Sequence, residues 1–176
     1  MQIRTARSWA IFCMGLWLTG TVAVAVVATE NFYTIDRLLE TRPNPSFAID
    51  VDRVGHDATR ELLRYLSSEL NRLYFQLWNL VQLAVGILAL WLVVKVPGAS
   101  KPKWWIVWML VIALFLTVLI MPFILSVGRS IDFVPRNPPP DALRTFGLLH
   151  ATYTVLDGIM LILGIMATLS LMREKE

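Results

Sequence analysis

FGLLHATYTVLDGIMLILGIMATLSLM, residues 146–172, is the stretch whose reading decides the fold. It is apolar along its length except for His150, several hydroxyls and an aspartate, Asp157, near its midpoint. A helix rises about 1.5 Å per residue, so roughly 20 residues cross the hydrocarbon of a bilayer. Three further runs reach that length: Trp9 to Thr29, Phe75 to Val94 and Trp104 to Val127. The expectation is an all-α integral membrane four-helix bundle, a single membrane domain over residues 1–176. Its spans lie at about 9–29, 75–94, 104–127 and 146–172, with a polar loop at 30–74.

Composition excludes several classes. The chain is 56% hydrophobic and 16% charged, and nearly all of the charge lies between the runs, a pattern foreign to a soluble domain. The net charge of +3 is scattered along the chain, which leaves no nucleic-acid footprint. The one cysteine, Cys13, forbids an intrachain disulfide and any multi-thiolate zinc site. No glycine-rich phosphate loop, nucleophile elbow or paired-histidine metal motif is present, so the sequence reads as non-enzymatic. Arg4 and Arg7 before an apolar stretch ending in Ala23-Val24-Ala25 imitate a secretory signal. That stretch is longer than a signal core, and the expectation is a first transmembrane helix.

Gly15, Thr19 and Ala23 fall at four-residue spacing in this helix, the pattern that lets two helices approach closely in lipid. Trp9 and Trp17 read as residues at or near an interface, although Trp17 is rather deep for a belt residue. In the polar segment, Thr41-Arg42-Pro43-Asn44-Pro45 predicts a turn. From about Asp57 onward, Leu62, Leu63, Leu66, Leu70 and Leu73 recur at helical spacing among Arg60, Glu61, Arg64, Glu69 and Arg72. With no breaker before the second span, one long helix is predicted from about Asp57 to Val94, either projecting from the membrane or lying on its surface. Val96-Pro97-Gly98 and Lys101-Pro102-Lys103 predict a short basic hairpin, followed by the aromatic anchor Trp104, Trp105 and Trp108. Pro122 predicts a kink in the third span or the end of its regular part, residues 135–140 an extended link, and Asp141 a cap for the last helix.

Orientation follows from the short basic segments. Arg4, Arg7, Lys95, Lys101, Lys103, Arg173 and Lys175 flank the spans on one side, accompanied only by Glu174 and Glu176. On the other side nine arginines are offset by ten acids in a much longer stretch. Density near short loops is the better guide, so both termini are expected in the cytoplasm.

The polar residues inside the spans are the candidate site. Gln76, Asn79 and Gln82 lie at steps of three, followed by Gly86. Amides in lipid need partners, so this face is expected to point into the bundle, as packing glue or as part of a path. His150 and Asp157 are two turns apart and share a face, close to Tyr153, Thr154 and Gly164. About 10 Å of rise separates them, too far for a direct hydrogen bond. Intramembrane acids and histidines serve proton or ion relays, and a neutral imidazole also ligates metals or pigments. The competing reading is structural: Asp157 is neutral and hydrogen-bonded to Asn79, Gln82 or a threonine, fixing helix register. His150 and Asp157 are the candidate metal ligands, with Cys13, Met14 and Met160 as soft neighbours for a copper-like ion. No cofactor is assigned, because His56 lies in the polar segment and His150 alone leaves a bis-histidine haem one ligand short. His56, Asp57, Asp50 and Asp52 are weighed as a surface metal cluster against ordinary solvated charge. Two functions stand at this point. One is an intrabundle site for a small ion, metal or proton, built from Asp157, His150, Gln76, Asn79, Gln82 and Thr154. The other is an accessory subunit, or a self-associating chain, whose contact surface is Arg60, Leu62, Arg64, Leu66, Trp104 and Trp105.

Arg144-Thr145-Phe146-Gly147-Leu148-Leu149-His150, followed by Tyr153 and Asp157, resembles the closing segment of a widespread four-span family of unknown function. That family is similar to the eukaryotic transmembrane-protein-205 type and, more distantly, to copper-resistance membrane proteins of the D type. Pro122 near the exit of the third span and the polar link before Phe146-x-x-x-His150 also fit, whereas Glu30-Asn31-Phe32-Tyr33 lacks the proline such relatives place there. The resemblance implies four helices in one bundle and adds weight to metal handling.

Overall fold

The computed structural model describes residues 3–173, so Glu174, Lys175 and Glu176 lie outside the described residues. The described chain is helical with no strand. Its helices are α1 (Ile3–Thr41), α2 (Pro45–Val54), α3 (His56–Val93), α4 (Ser100–Phe115), α5 (Met121–Ser130) and α6 (Asp141–Arg173), with a π-helical turn (Leu116–Ile120) joining α4 to α5. Four units are long and apolar enough to cross a membrane: α1, α3, Ser100–Ser130 and α6. This is the signature of a multi-pass membrane protein. Each span packs on its sequence neighbour and α6 closes on α1, so the bundle is an up-down ring.

The polar segment 30–74 departs from the loop expected of it. Only residues 42–44 and Gly55 in it are non-helical. α1 has 39 residues, about 58 Å of helix against roughly 30 Å of hydrocarbon. The predicted helix from Asp57 is α3, which is 38 residues long. Both therefore run well beyond the apolar zone and pack together as a stalk. The expected turn ends α1 at Arg42, which takes the left-handed conformation (φ 43°). Asn44 then caps α2, its side-chain oxygen accepting from the backbone N–H of Ser46 (2.9 Å) and Phe47 (3.2 Å), with Pro45 in the first turn. Gly55, at φ 95°, makes the corner between α2 and α3.

A small second core holds the stalk: Ile35, Leu39 and Val51, with Phe32, Phe47 and Leu63 against them. Polar ties run alongside. Asn71 donates to the Ala28 carbonyl (2.9 Å), Asn31 donates to Asn71 (2.7 Å), and Arg60 forks onto both oxygens of Asp36 (2.7 and 3.1 Å). The Arg60 hydrogen bond holds the Asp36 carboxyl below the usual carboxylate range. A depressed acid stabilises the fold above its unfolded value and loses that contribution as pH falls through the folded one. Acidification below the carboxylate range is thus expected to speed amide exchange at residues 33–41 and 57–66 while the bundle stays protected. The effect is small, because the pair is half-exposed. Stalk exchange that ignores pH, beyond its intrinsic chemistry, would show that the pair adds nothing.

The regular part of the third span is interrupted just before Pro122, where the π turn Leu116–Ile120 replaces α-helix. The proline ring collides with the carbonyl four residues back, at Val118, and the widened turn relieves this. Asp141 is the first helical residue rather than the cap before it, and it adds a carboxylate to the positive end of α6.

Small residues at the contacts are not those the spacing singled out. A Cβ at Gly15 would meet nothing, and Thr19 and Ala23 are exposed toward lipid. Close approach happens at Gly20, where a Cβ would overlap the Trp78 ring, and at Gly86, where it would overlap Trp17 and Leu110. Large indoles, not facing backbones, fill the space that these glycines leave.

Candidate functional site

Asn79 and Gln82 are 1% and 0% exposed, so the amide face of α3 does point into the bundle. Their partners come from three helices. The Tyr153 hydroxyl on α6 donates to Asn79 Oδ1 at 2.7 Å, and Gln82 Nε2 donates to the same oxygen at 3.0 Å. Trp17 Nε1–H on α1 donates to Gln82 Oε1 at 3.2 Å. The chain Trp17–Gln82–Asn79–Tyr153 thus ties α1, α3 and α6 together at mid-bundle. Phe75 meets the Tyr153 ring edge-on at 5.6 Å, and Trp78 makes a parallel tie to Thr21 on α1 (3.2 Å). In membrane bundles such side-chain bonds average about 0.6 kcal/mol each, so their value lies as much in register as in stability.

Two polar atoms are left over. Asn79 Nδ2 and Asp157 Oδ1 are both enclosed and have no hydrogen-bond partner among the described residues. Asp157 follows Tyr153 by four residues, one turn along the same face of α6. A spare donor and a spare acceptor therefore flank the tyrosine that completes the network. The structural reading of Asp157, in which Asn79, Gln82 or a threonine satisfies it, does not match this arrangement.

The other expected site residues are dispersed. Gln76 is half-buried and makes no side-chain hydrogen bond among the described residues. Thr154 faces outward and donates to the His150 carbonyl of its own helix (2.9 Å), the ordinary fate of a mid-helix threonine. His150 is exposed, its ring stacked on Phe146 with centroids 6.1 Å apart. The seven-residue spacing is sound geometry, but the buried stripe of α6 runs through Tyr153, Met160 and Gly164, and His150 lies at its edge. Cys13, Met14 and Met160 belong to the main apolar core. Among the described residues no three His, Cys, Asp or Glu side chains gather as a metal site. Around His56 the charges are spent on neighbours, with Asp52 on Arg42, Asp50 on Arg53 and His56 Nδ1 3.2 Å from Asp57.

The expected partner surface is altered in the same way. Arg60 is committed to Asp36, and Arg64 lies over the Phe32 ring, 5.4 Å from its centroid. Trp105 packs into the core, whereas Trp104 is exposed beside Lys103. Leu62 and Leu66 remain exposed.

At the stalk end of the bundle sits a cluster that no motif announced. Arg72, whose side chain is 10% exposed, pairs bidentately with Asp132 (2.8 and 3.0 Å) and also holds Glu69. Arg129 completes the cluster, 3.6 Å from Glu69. Gly128 makes room for it, since a Cβ there would press on Arg72 and Phe146. In the Asn79–Gln82 network, Tyr153 lies where spacing placed it, close to the face of Asp157, whereas Trp17 was not assigned to the site; its depth in its run was the available signal. Comparison with known protein families, with curated proteins and with solved structures gives no match.

Proposed function

We propose that the chain is a non-enzymatic membrane protein whose bundle takes up a small cation, a proton in the first place, at Asp157. The observation that carries this reading is the enclosed Asp157 oxygen, without a hydrogen-bond partner among the described residues and one turn from Tyr153 and its hydrogen-bonded network. An ionised carboxylate in hydrocarbon costs about 2.5–3.5 kcal/mol, and a bound cation offsets that cost. The donor set favours a proton over a metal: one carboxylate is at hand, and His150 faces outward. The amide, phenol and indole groups hold Asp157's surroundings rigid. The density of basic residues at the end carrying residues 3–7, the 94–99 turn and Arg173 supports cytoplasmic termini.

Asp157→Asn keeps the shape of the side chain and removes its titration. When the purified protein is titrated with acid in weakly buffered detergent solution, the variant is expected to take up fewer protons than the parent chain while keeping its folded yield and melting temperature. Uptake unchanged in a folded Asp157→Asn protein would overturn the proposal. Loss of the folded protein itself would make the residue structural.

A second reading has its own observation. Tyr33, Ile49, Val54, Leu62 and Leu66 are exposed on the stalk, beyond the apolar runs that lipid covers. Exposed apolar side chains in that zone support an accessory-subunit role through the stalk. Leu62→Glu with Leu66→Glu is then expected to release the chain from a larger assembly on a native gel of gently extracted membranes. Unchanged migration would remove the stalk from consideration.

A further inference from the structure

The bundle is polar in one half and apolar in the other. All four buried polar side chains among the described residues, Thr21, Ser67, Asn79 and Gln82, lie at mid-bundle or toward the stalk. On α3 a ladder of polar residues descends from the stalk end at steps of four, three and three: Arg72, Gln76, Asn79 and Gln82. Residues at those steps share one helical face. The ladder opens at the charged cluster of Arg72, Asp132 and Glu69, passes the half-buried Gln76, and reaches the spare amide donor of Asn79. On α6, His150 stands two turns nearer the stalk than Asp157 and is exposed.

Below Gln82 the character changes within one turn. The Trp17 ring and Leu110 both lie against Gly86, and Gly164 is closed over by Leu18 and Met109. Ala10, Met14, Ala89, Met109, Ala167 and Leu171 then fill the half next to the termini, none more than 1% exposed. Interiors packed in this way leave no room for water, and nothing there would satisfy one.

We infer that Asp157 exchanges with the water on the stalk side alone, so that the bundle is a dead-end site loaded from one compartment and not a through-path. This rests on the proposed cation uptake at Asp157, and it names the compartment that supplies the cation. The ladder is the route and Gln76 its middle step. The Trp17–Gly86 contact and the apolar half beneath it are the floor.

Cysteine accessibility in the full chain, reconstituted in vesicles on a Cys13→Ser background, tests the inference. Ser46→Cys on α2 and Lys101→Cys at the start of α4, both exposed positions, mark the stalk side and the terminal side. A membrane-impermeant thiosulfonate is applied to one side at a time. Asp157→Cys and Gln76→Cys are expected to react from the side that labels Ser46→Cys at least about tenfold faster than from the side that labels Lys101→Cys, because thiol reactivity follows access. Met109→Cys, in the apolar half, is expected to react from neither. If Asp157→Cys fails to fold, Gln76→Cys and Met109→Cys still decide the matter. Reaction of Asp157→Cys or Gln76→Cys from the Lys101 side, reaction of either from neither side, or labelling of Met109→Cys would overturn one-sided access. Failure of the cation reading looks different: it is unchanged proton uptake in Asp157→Asn, whatever the labelling pattern.

Discussion

Arg72→Met is expected to lower the stability of the bundle by about 3–5 kcal/mol, the usual cost of removing one partner from a buried ion pair. The cause is the acid left behind. Asp132 is 17% exposed at its side chain and holds the arginine fork through both oxygens. Without Arg72 it has no other ion-pair partner among the described residues, whereas Glu69 keeps Arg129. The effect is therefore expected to run through Asp132, and Arg72→Met combined with Asp132→Leu should recover most of the loss. Replacing both members of such a pair by apolar groups is often neutral. Arg72→Lys should fall between, since an ammonium keeps the charge but not the bidentate geometry. Denaturant unfolding in detergent measures all three. A double variant no more stable than the single would mean that the arginine holds α3 against α5 by packing its stem, and that the charge itself contributes little.

This cluster also marks the limit of what the sequence could disclose. Span count was legible because hydrocarbon length is a one-dimensional constraint, and four apolar runs meet it without any knowledge of neighbours. The long α3 was legible for a similar reason, since leucine spacing and the lack of a breaker are local properties. The inward amide face followed from one helix alone. The missing information is pairwise. Arg72 and Asp132 are 60 residues apart, Trp17 and Gln82 are 65 apart, and Asn79 and Tyr153 are 74 apart. No spacing rule links them. His150 was drawn into the site by a correct seven-residue period, but period fixes only relative direction on a helix, and which direction is inward depends on the other spans. The extension of α1 to Thr41 carries its own stripe, Phe32, Ile35 and Leu39 at steps of three and four. Glu30, Asp36, Arg37 and Glu40 nevertheless end the apolar run, so span length alone stops short of it. α3 packs on that stripe through Leu63, with Arg60 tied to Asp36.

Trp17→Ala is expected to have the other large effect, and comparison with Trp17→Phe separates its two causes. The indole is 1% exposed and spans the contact between α1, α3 and α4, filling the space at Gly86 and donating to Gln82. Truncating a buried tryptophan costs about 3–5 kcal/mol in water-soluble cores, through lost transfer energy and an unfilled cavity. In a bilayer the transfer part shrinks, because lipid tails are as apolar as the core, and lost packing remains. Trp17→Phe keeps most of the ring and loses the N–H, so it is expected to cost about 0.6 kcal/mol, the average for a membrane hydrogen bond. If packing dominates, the alanine variant falls far below the phenylalanine variant; if Gln82 dominates, the two fall together. Gly86 supplies an internal control. In the parent chain Gly86→Ala is expected to cost about 1–3 kcal/mol, because its methyl group overlaps the indole. In the Trp17→Ala background the overlap with the indole is gone while that with the Leu110 methyl remains, so the same substitution should cost less than in the parent chain. Such a reduction is the coupling expected of two residues that share one contact. It would also identify the floor beneath Asp157 as one packed element, the indole of α1 seated on the glycine of α3.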